Sequence, residues 1–138
     1  MKIEKEYVIF VEGVDDKAFF EKLLENVFNI QIIDVKGKSN FKTILKIASQ
    51  EDEFKKVKKI LIISDADESY KTTYQSLSQM LKEIFNDLPG NILHGYRGKY
   101  GILILPPSEE QGSLDDLLFR SINISHYREC YNACQLLT

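Results

Sequence analysis

Two apolar runs in this chain end in acid. Residues 7–11, Tyr-Val-Ile-Phe-Val, lead into Glu12, Gly13, Asp15 and Asp16, and residues 60–63, Ile-Leu-Ile-Ile, lead through Ser64 into Asp65, Ala66 and Asp67. A strand with one wet face alternates apolar and polar residues. An unbroken Val/Ile/Leu/Phe run has both faces covered, as in the parallel sheets of α/β proteins. The runs therefore constrain the fold class, and they also say where the acids stand. Residues just past the carboxyl ends of such strands line the crevice in which open α/β sheets bind ligands.

The rest of the chain alternates in the same way. After Gly13, Phe20, Leu24, Val27 and Phe28 recur at helical spacing, so a helix is expected to about residue 28, with Asp15 as its N-cap. A strand follows over 30–35, then a turn, Lys36-Gly37-Lys38-Ser39-Asn40. Phe41, Ile44, Leu45 and Ala48 form the stripe of a second helix, and a charged stretch over 50–59 feeds the strand at 60–64. A third helix is expected over 70–85, with Tyr74, Leu77, Leu81 and Ile84 on one face and Pro89-Gly90 as its stop. Residues 92–96 and 100–105 flank Arg97-Gly98-Lys99, which predicts an added hairpin strand. A last helical segment is expected over 113–119.

This order implies an α/β fold: a Rossmann-like, mostly parallel sheet with helices on both faces. With 138 residues the chain fits a single domain, its core over about residues 7–118 and a helical segment over 119–138. The sequence stops inside a possible helix at 127–137, which leaves truncation open. No stretch approaches the roughly 20 apolar residues of a membrane span. The charged start and the short run after it do not make a signal peptide. A soluble, cytoplasmic protein is expected. Cys130 and Cys134 suit reduced thiols there better than a disulfide. A net charge of −3 argues against a protein that simply coats nucleic acid, but not against an acidic, cation-holding centre with a basic rim.

Each acidic motif has an ordinary reading beside the chemical one. Asp15 is accounted for as a helix cap, and Asp67, with Glu68 and Ser69, could cap the third helix. Glu12, at the end of an interior strand, is less easily explained that way; Gly13 beside it would allow a tight turn and a close backbone approach. Asp65 and Asp67, two apart in extended backbone, would lie on one side. Carboxylates gathered at one sheet edge repel, and a hard cation such as Mg²⁺ or Mn²⁺, which takes one or two carboxylates plus water and phosphate oxygens, offsets that repulsion.

Glu-Gly after the first strand, with Asp-x-Asp after the third, resembles the TOPRIM domain of topoisomerases, primases and related nucleases. The likeness runs from about residue 7 to residue 118 and is nearest to small stand-alone prokaryotic TOPRIM-like proteins and to OLD-family nucleases. The resemblance implies a metal-ligand or general acid/base role for Glu12 and metal ligation by Asp65 and Asp67. It adds Asp16, four after the glutamate, and matches a Ser-x-acidic motif with Ser108 and Glu110. It also assigns the Gly37-Lys38 turn to the site, with Lys38 as a catalytic candidate.

In a parallel sheet all these residues fall at one edge. Lys36, Lys38 and Ser108 there are candidates to hold phosphate, with Lys42, Arg97 and Lys99 as further ones. Lys55, Lys56, Lys58 and Lys59 precede a strand, lie at the far edge and read as a solvated charge run. His126, Cys130 and Cys134 share a helical face but lack a fourth zinc ligand, so buried thiols explain them. His94 reads as structural.

The expected function is Mg²⁺-dependent phosphodiester chemistry of a nuclease kind, with DNA or RNA as partner. A non-catalytic module that binds a nucleotide, nucleic acid or protein is the alternative. A haloacid-dehalogenase-type phosphatase with Asp65 as nucleophile and Asp115-Asp116 as its late acidic pair would leave Glu12 without a role.

Overall fold

The computed structural model describes residues 2–67, 69–85 and 100–105, and the backbone of 95–97. The apolar runs form the interior strands. β1 is Tyr7–Val11, β2 Ile30–Asp34, β3 Lys59–Asp65, and β5 Tyr100–Leu105, with the short β4, Gly95–Arg97, before it. The helices are α1 Val14–Leu23, α2 Phe41–Ser49 and α3 Tyr70–Ile84. The sheet order is β2-β1-β3-β5-β4. β1 pairs in parallel with β2 and β3, and β3 in parallel with β5. β4 runs antiparallel to β5, which makes the expected hairpin.

The order decides which helix covers which face. From β1 the chain steps outward to β2, then crosses back over β1 to β3. Parallel crossovers are right-handed, so a reversal of direction moves the connecting helix to the other face. Phe20 and Leu24 accordingly pack with Ile9, Val11, Ile32, Leu61 and Ile63 on one face. Phe41, Leu45, Leu77 and Leu81 pack with Val8, Phe10, Ile60 and Ile62 on the other. Alternate residues of β1 and β3 thus feed two cores, as the period of two in a strand requires. Each of these side chains stabilises the fold by roughly 1.5–3 kcal/mol.

Several local expectations are corrected. α1 ends at Leu23, five residues short of residue 28, and Phe28 is 89% exposed. The chain must reverse there to enter β2, and Asn29 takes a left-handed φ of 69° to do so. The α1 cap is Gly13 with no side-chain hydrogen bond; Asp15 and Asp16 sit inside the first turn, where they complement the helix dipole. Gly13 is extended (φ −153°), a conformation open to any residue. A Cβ there would meet Asp16 Oδ2 at 3.6 Å, an ordinary contact. The expected turn role of this glycine is therefore not required.

The charged stretch over 50–59 hides a 3-10 turn, Asp52–Lys56, whose Phe54 is buried and stacks on Phe85 with ring centroids 5.6 Å apart. Its lysines stay near the surface as expected: Lys56 pairs with Glu53, and Lys58 with Glu6. The segments expected at 92–94, 113–119 and 127–137 lie outside the described residues, as do His94, Asp115, Asp116, His126, Cys130 and Cys134.

Candidate functional site

In an open sheet the crevice opens where the strand order reverses, between the two strands from which the chain departs in opposite directions. Here that point lies between β1 and β3. Glu12 follows β1, and Asp65 ends β3. The two motifs that stand 52 and 53 residues apart in sequence meet there through side-chain contacts. Ser64 Oγ donates a hydrogen bond to Glu12 Oε1, and the Asp65 amide donates to the same oxygen at 3.1 Å. Ser64 is 2% exposed. A hydroxyl at the end of an otherwise apolar strand is explained by that one acceptor. Glu12 Oε2 accepts no hydrogen bond among the described residues.

The turn after β2 brings the third component. It is tied to β1 by two backbone bonds, Val35 N–H to Val11 C=O at 2.9 Å and Gly37 N–H to Glu12 C=O at 2.7 Å. Lys36 is left-handed (φ 62°), and its amide donates to Asp34 Oδ1 at 2.7 Å. Gly37, at φ 123°, occupies backbone space that side-chain-bearing residues rarely enter. Asn40 Nδ2 then clamps the carbonyls of Val35 and Lys36, at 3.0 and 2.9 Å. The 3-10 turn Lys38–Asn40 starts from this point. Its first residue, Lys38, reaches over the sheet edge.

Lys38 Nζ donates to the Asp65 carbonyl at 2.9 Å and to Asp67 Oδ2, and lies 3.7 Å from Glu12 Oε1. One ammonium therefore faces carboxylates from two strand ends. Asp67 arrives there by a turn and not by strand alternation: its φ is 55°, in the left-handed region. Asp tolerates that region better than most residues. The capping role falls to Ser69, whose Oγ accepts from the Thr72 amide at 3.3 Å.

Of the residues singled out from sequence, Glu12, Lys38, Asp65 and Asp67 come together. Asp16 stands on the first turn of α1, half-buried beside Gly13. Lys36 is exposed, and its ammonium makes no hydrogen bond or ion pair among the described residues. Ser108, Glu110, Lys99 and the Arg97 side chain lie outside what is described. Lys42 joins the neighbourhood by pairing with Glu83 at 2.9 Å. Its hydrogen bond, then that of Gln79, holds the Glu83 carboxyl below the usual carboxylate range. Two contributors are not evident from the sequence. Ser64 could have been noticed as the polar residue of a buried run. Asn40 carries no signal beyond being a turn residue.

Among the described residues, no three His, Cys, Asp or Glu side chains cluster as a metal site. The donors nevertheless fit a hard cation in kind. Glu12, Asp67 and the Asp65 carbonyl are all oxygens, and the Lys38 ammonium already serves them as a common positive charge. A divalent cation held by one or two carboxylates, with water and phosphate oxygens completing its shell, asks for no more than this.

Fold and site define an open-sheet α/β domain with a lysine-bridged acidic cluster at its switch point. The chain belongs to the family described as protein of unknown function (DUF3226), whose model matches residues 6–136. No curated protein and no solved structure matches it. Among the described residues no helix is long and apolar enough to cross a membrane.

Proposed function

We propose that this protein carries out Mg²⁺- or Mn²⁺-dependent phosphodiester chemistry of a nuclease kind on DNA or RNA, in a TOPRIM-type acidic site related to that of the OLD nucleases. The observation that carries the reading is the meeting of Glu12, Lys38 and Asp67 at the β1/β3 switch point. Glu12, Asp65 and Asp67 would hold the cation. When bound, it supplies charge stabilisation at the attacking and leaving oxygens of an in-line displacement.

The chain's own residues do the rest. Ser64 Oγ and the Asp65 amide fix Glu12 through Oε1, which leaves Oε2 to take or give a proton. The Lys38 ammonium donates to a phosphoryl oxygen in exchange for Asp67. The test is incubation of the protein with plasmid and single-stranded DNA in Mg²⁺ or Mn²⁺. Nicking is expected, and Glu12→Gln and Asp67→Asn should abolish it. Nicking that survives both substitutions overturns the assignment.

One observation favours a second reading, a non-catalytic module. Lys38 already bridges the two carboxylates and offsets one of their charges, so the cluster can serve as a structural ion-pair network without metal. Metal titration that shows no binding, with no hydrolysis of any phosphodiester, would select it.

A further inference from the structure

A groove of about 920 Å³ leads away from the Lys38–Asp67 pair. One wall is the start of α2 with the turn before it, carrying Lys38, Ser39 and Lys42; the other is α3. Along α3 the lining residues Ser69, Thr72, Thr73 and Ser76 recur at the three- and four-residue steps that keep side chains on one helical face. Leu77 and Met80 give the groove an apolar floor, and Glu83 closes its far end against Lys42. From Ser69 to Glu83 the wall is about 21 Å long at 1.5 Å per residue.

Two of these hydroxyls are used internally: Ser69 Oγ accepts from Thr72, and Thr73 Oγ1 donates to the Ala66 carbonyl at 3.0 Å. Those of Thr72, Ser76 and Ser39 make no hydrogen bond among the described residues. Each lysine is latched to a carboxylate on the facing wall. An anionic ligand can therefore recruit both lysines by exchanging with Asp67 and Glu83.

Resting on the reading above, we infer that this groove is the track for one strand of nucleic acid, held through phosphate and sugar without regard to sequence. Hydroxyl, amide and lysine side chains are the groups that contact phosphate and sugar. The length suits several nucleotides better than one, and the lining is one turn with the start of one helix on one side and a single helix on the other, a course that one backbone can follow. The two lysines are matched by Asp67 and Glu83 in the lining, so the attraction is weak and its salt dependence shallow, at about −0.7 in log K against log salt for each phosphate contact. Among the described residues the walls carry no aromatic ring for base stacking, consistent with a hold on the backbone alone.

The test measures binding without chemistry. Fluorescence anisotropy of a labelled oligothymidylate of about ten nucleotides is read with the full chain in EDTA. Single strand should bind, and duplex of equal length and thymidine monophosphate should bind at least about tenfold more weakly. The salt slope should be about −1.4 and fall to about −0.7 in Lys42→Ala. Ser76→Glu, or Gln79→Glu should the first not fold, should weaken binding about tenfold with an unchanged circular dichroism spectrum.

Equal binding of duplex or mononucleotide overturns the inference, as does a folded Ser76→Glu or Gln79→Glu variant that binds like the parent. The proposed activity fails separately. Strand binding of the expected kind with no metal-dependent cleavage supports the groove and sinks the nuclease. Cleavage that ignores the groove variants sinks the groove and spares the nuclease.

Discussion

Lys38 and Asp67, 29 residues apart in the chain, pair across the crevice between the turn after β2 and the turn before α3. The same ammonium stands 3.7 Å from Glu12. It is one positive charge set against two carboxylates, and its side chain is only 34% exposed. Such a cluster is partly screened by solvent but not free to dissolve into it.

Replacing Lys38 by Met removes the cation and leaves the carboxylates facing each other. The expected loss is about 1–2 kcal/mol, between the small worth of surface pairs and the larger cost of breaking buried ones. Mn²⁺ should restore that loss by neutralising the same carboxylates. Thermal melts of parent and variant, with and without Mn²⁺, check this. The variant's midpoint should rise more than the parent's. An equal response in both proteins would mean that these oxygens do not address the ion.

Gly37→Ala tests the turn that carries Lys38. Among the described residues a Cβ at Gly37 would meet Asn40 Nδ2 alone, at 3.8 Å, an ordinary contact. The cost is conformational, because φ is 123°. A loss of about 1–2 kcal/mol in a urea titration is expected. If cleavage is observed, its rate should fall as well, since Lys38 is aimed by the same backbone. Asn40→Ala should act in the same direction by freeing the Val35 and Lys36 carbonyls.

How far the sequence can be read follows from the range over which each signal acts. The unbroken runs of β1 and β3 report burial on both faces, a local property, and the parallel sheet followed from them. The stripes of α2 and α3 were equally plain: Phe41, Leu45, Leu77 and Leu81 all reached the core. The end of α1 was not legible, because Val27 and Phe28 continue the helical pattern while Asn29 breaks it in a left-handed turn that Asn tolerates without advertising. At the site, strand ends told which residues share an edge. They could not tell that Lys38 would lie between Glu12 and Asp67. That depends on a side chain reaching across two turns. Ser64 was hidden for a similar reason: its partner is Glu12, 52 residues away.

Ser64→Ala is the sharpest probe of that contact. The hydroxyl is buried and donates to Glu12 Oε1, which keeps the Asp65 amide as its remaining donor. Loss of one hydrogen bond to a charged group should cost about 1–3 kcal/mol. The substitution also loosens the orientation of Glu12, and groups that orient a ligand typically change metal affinity about 10–100-fold. Isothermal titration with Mn²⁺ measures the affinity and urea denaturation the stability. Stability lost without any change in Mn²⁺ affinity would confine Ser64 to a packing role.

A last prediction concerns alkaline pH and lies away from the cluster. Burial pushes the phenols of Tyr70 and Tyr74 above their ordinary value, and for Tyr70 the neighbouring Tyr74 adds to the rise. A raised value means that the folded state holds the proton more tightly than the unfolded one. The stability from this source is therefore complete below the unfolded value of about 10 and is lost as pH rises through the folded one. Tyr74 Oη is buried and has no hydrogen-bond partner among the described residues. Tyr74→Phe thus removes a desolvated hydroxyl that gains nothing from its place. At neutral pH it should leave stability unchanged or raise it by about 1 kcal/mol. Above pH about 10 it should flatten the fall, since one of the two phenols with a raised value is gone. Urea midpoints across that range give both quantities. A variant that falls as steeply as the parent would show that Tyr74 does not contribute to the alkaline limb.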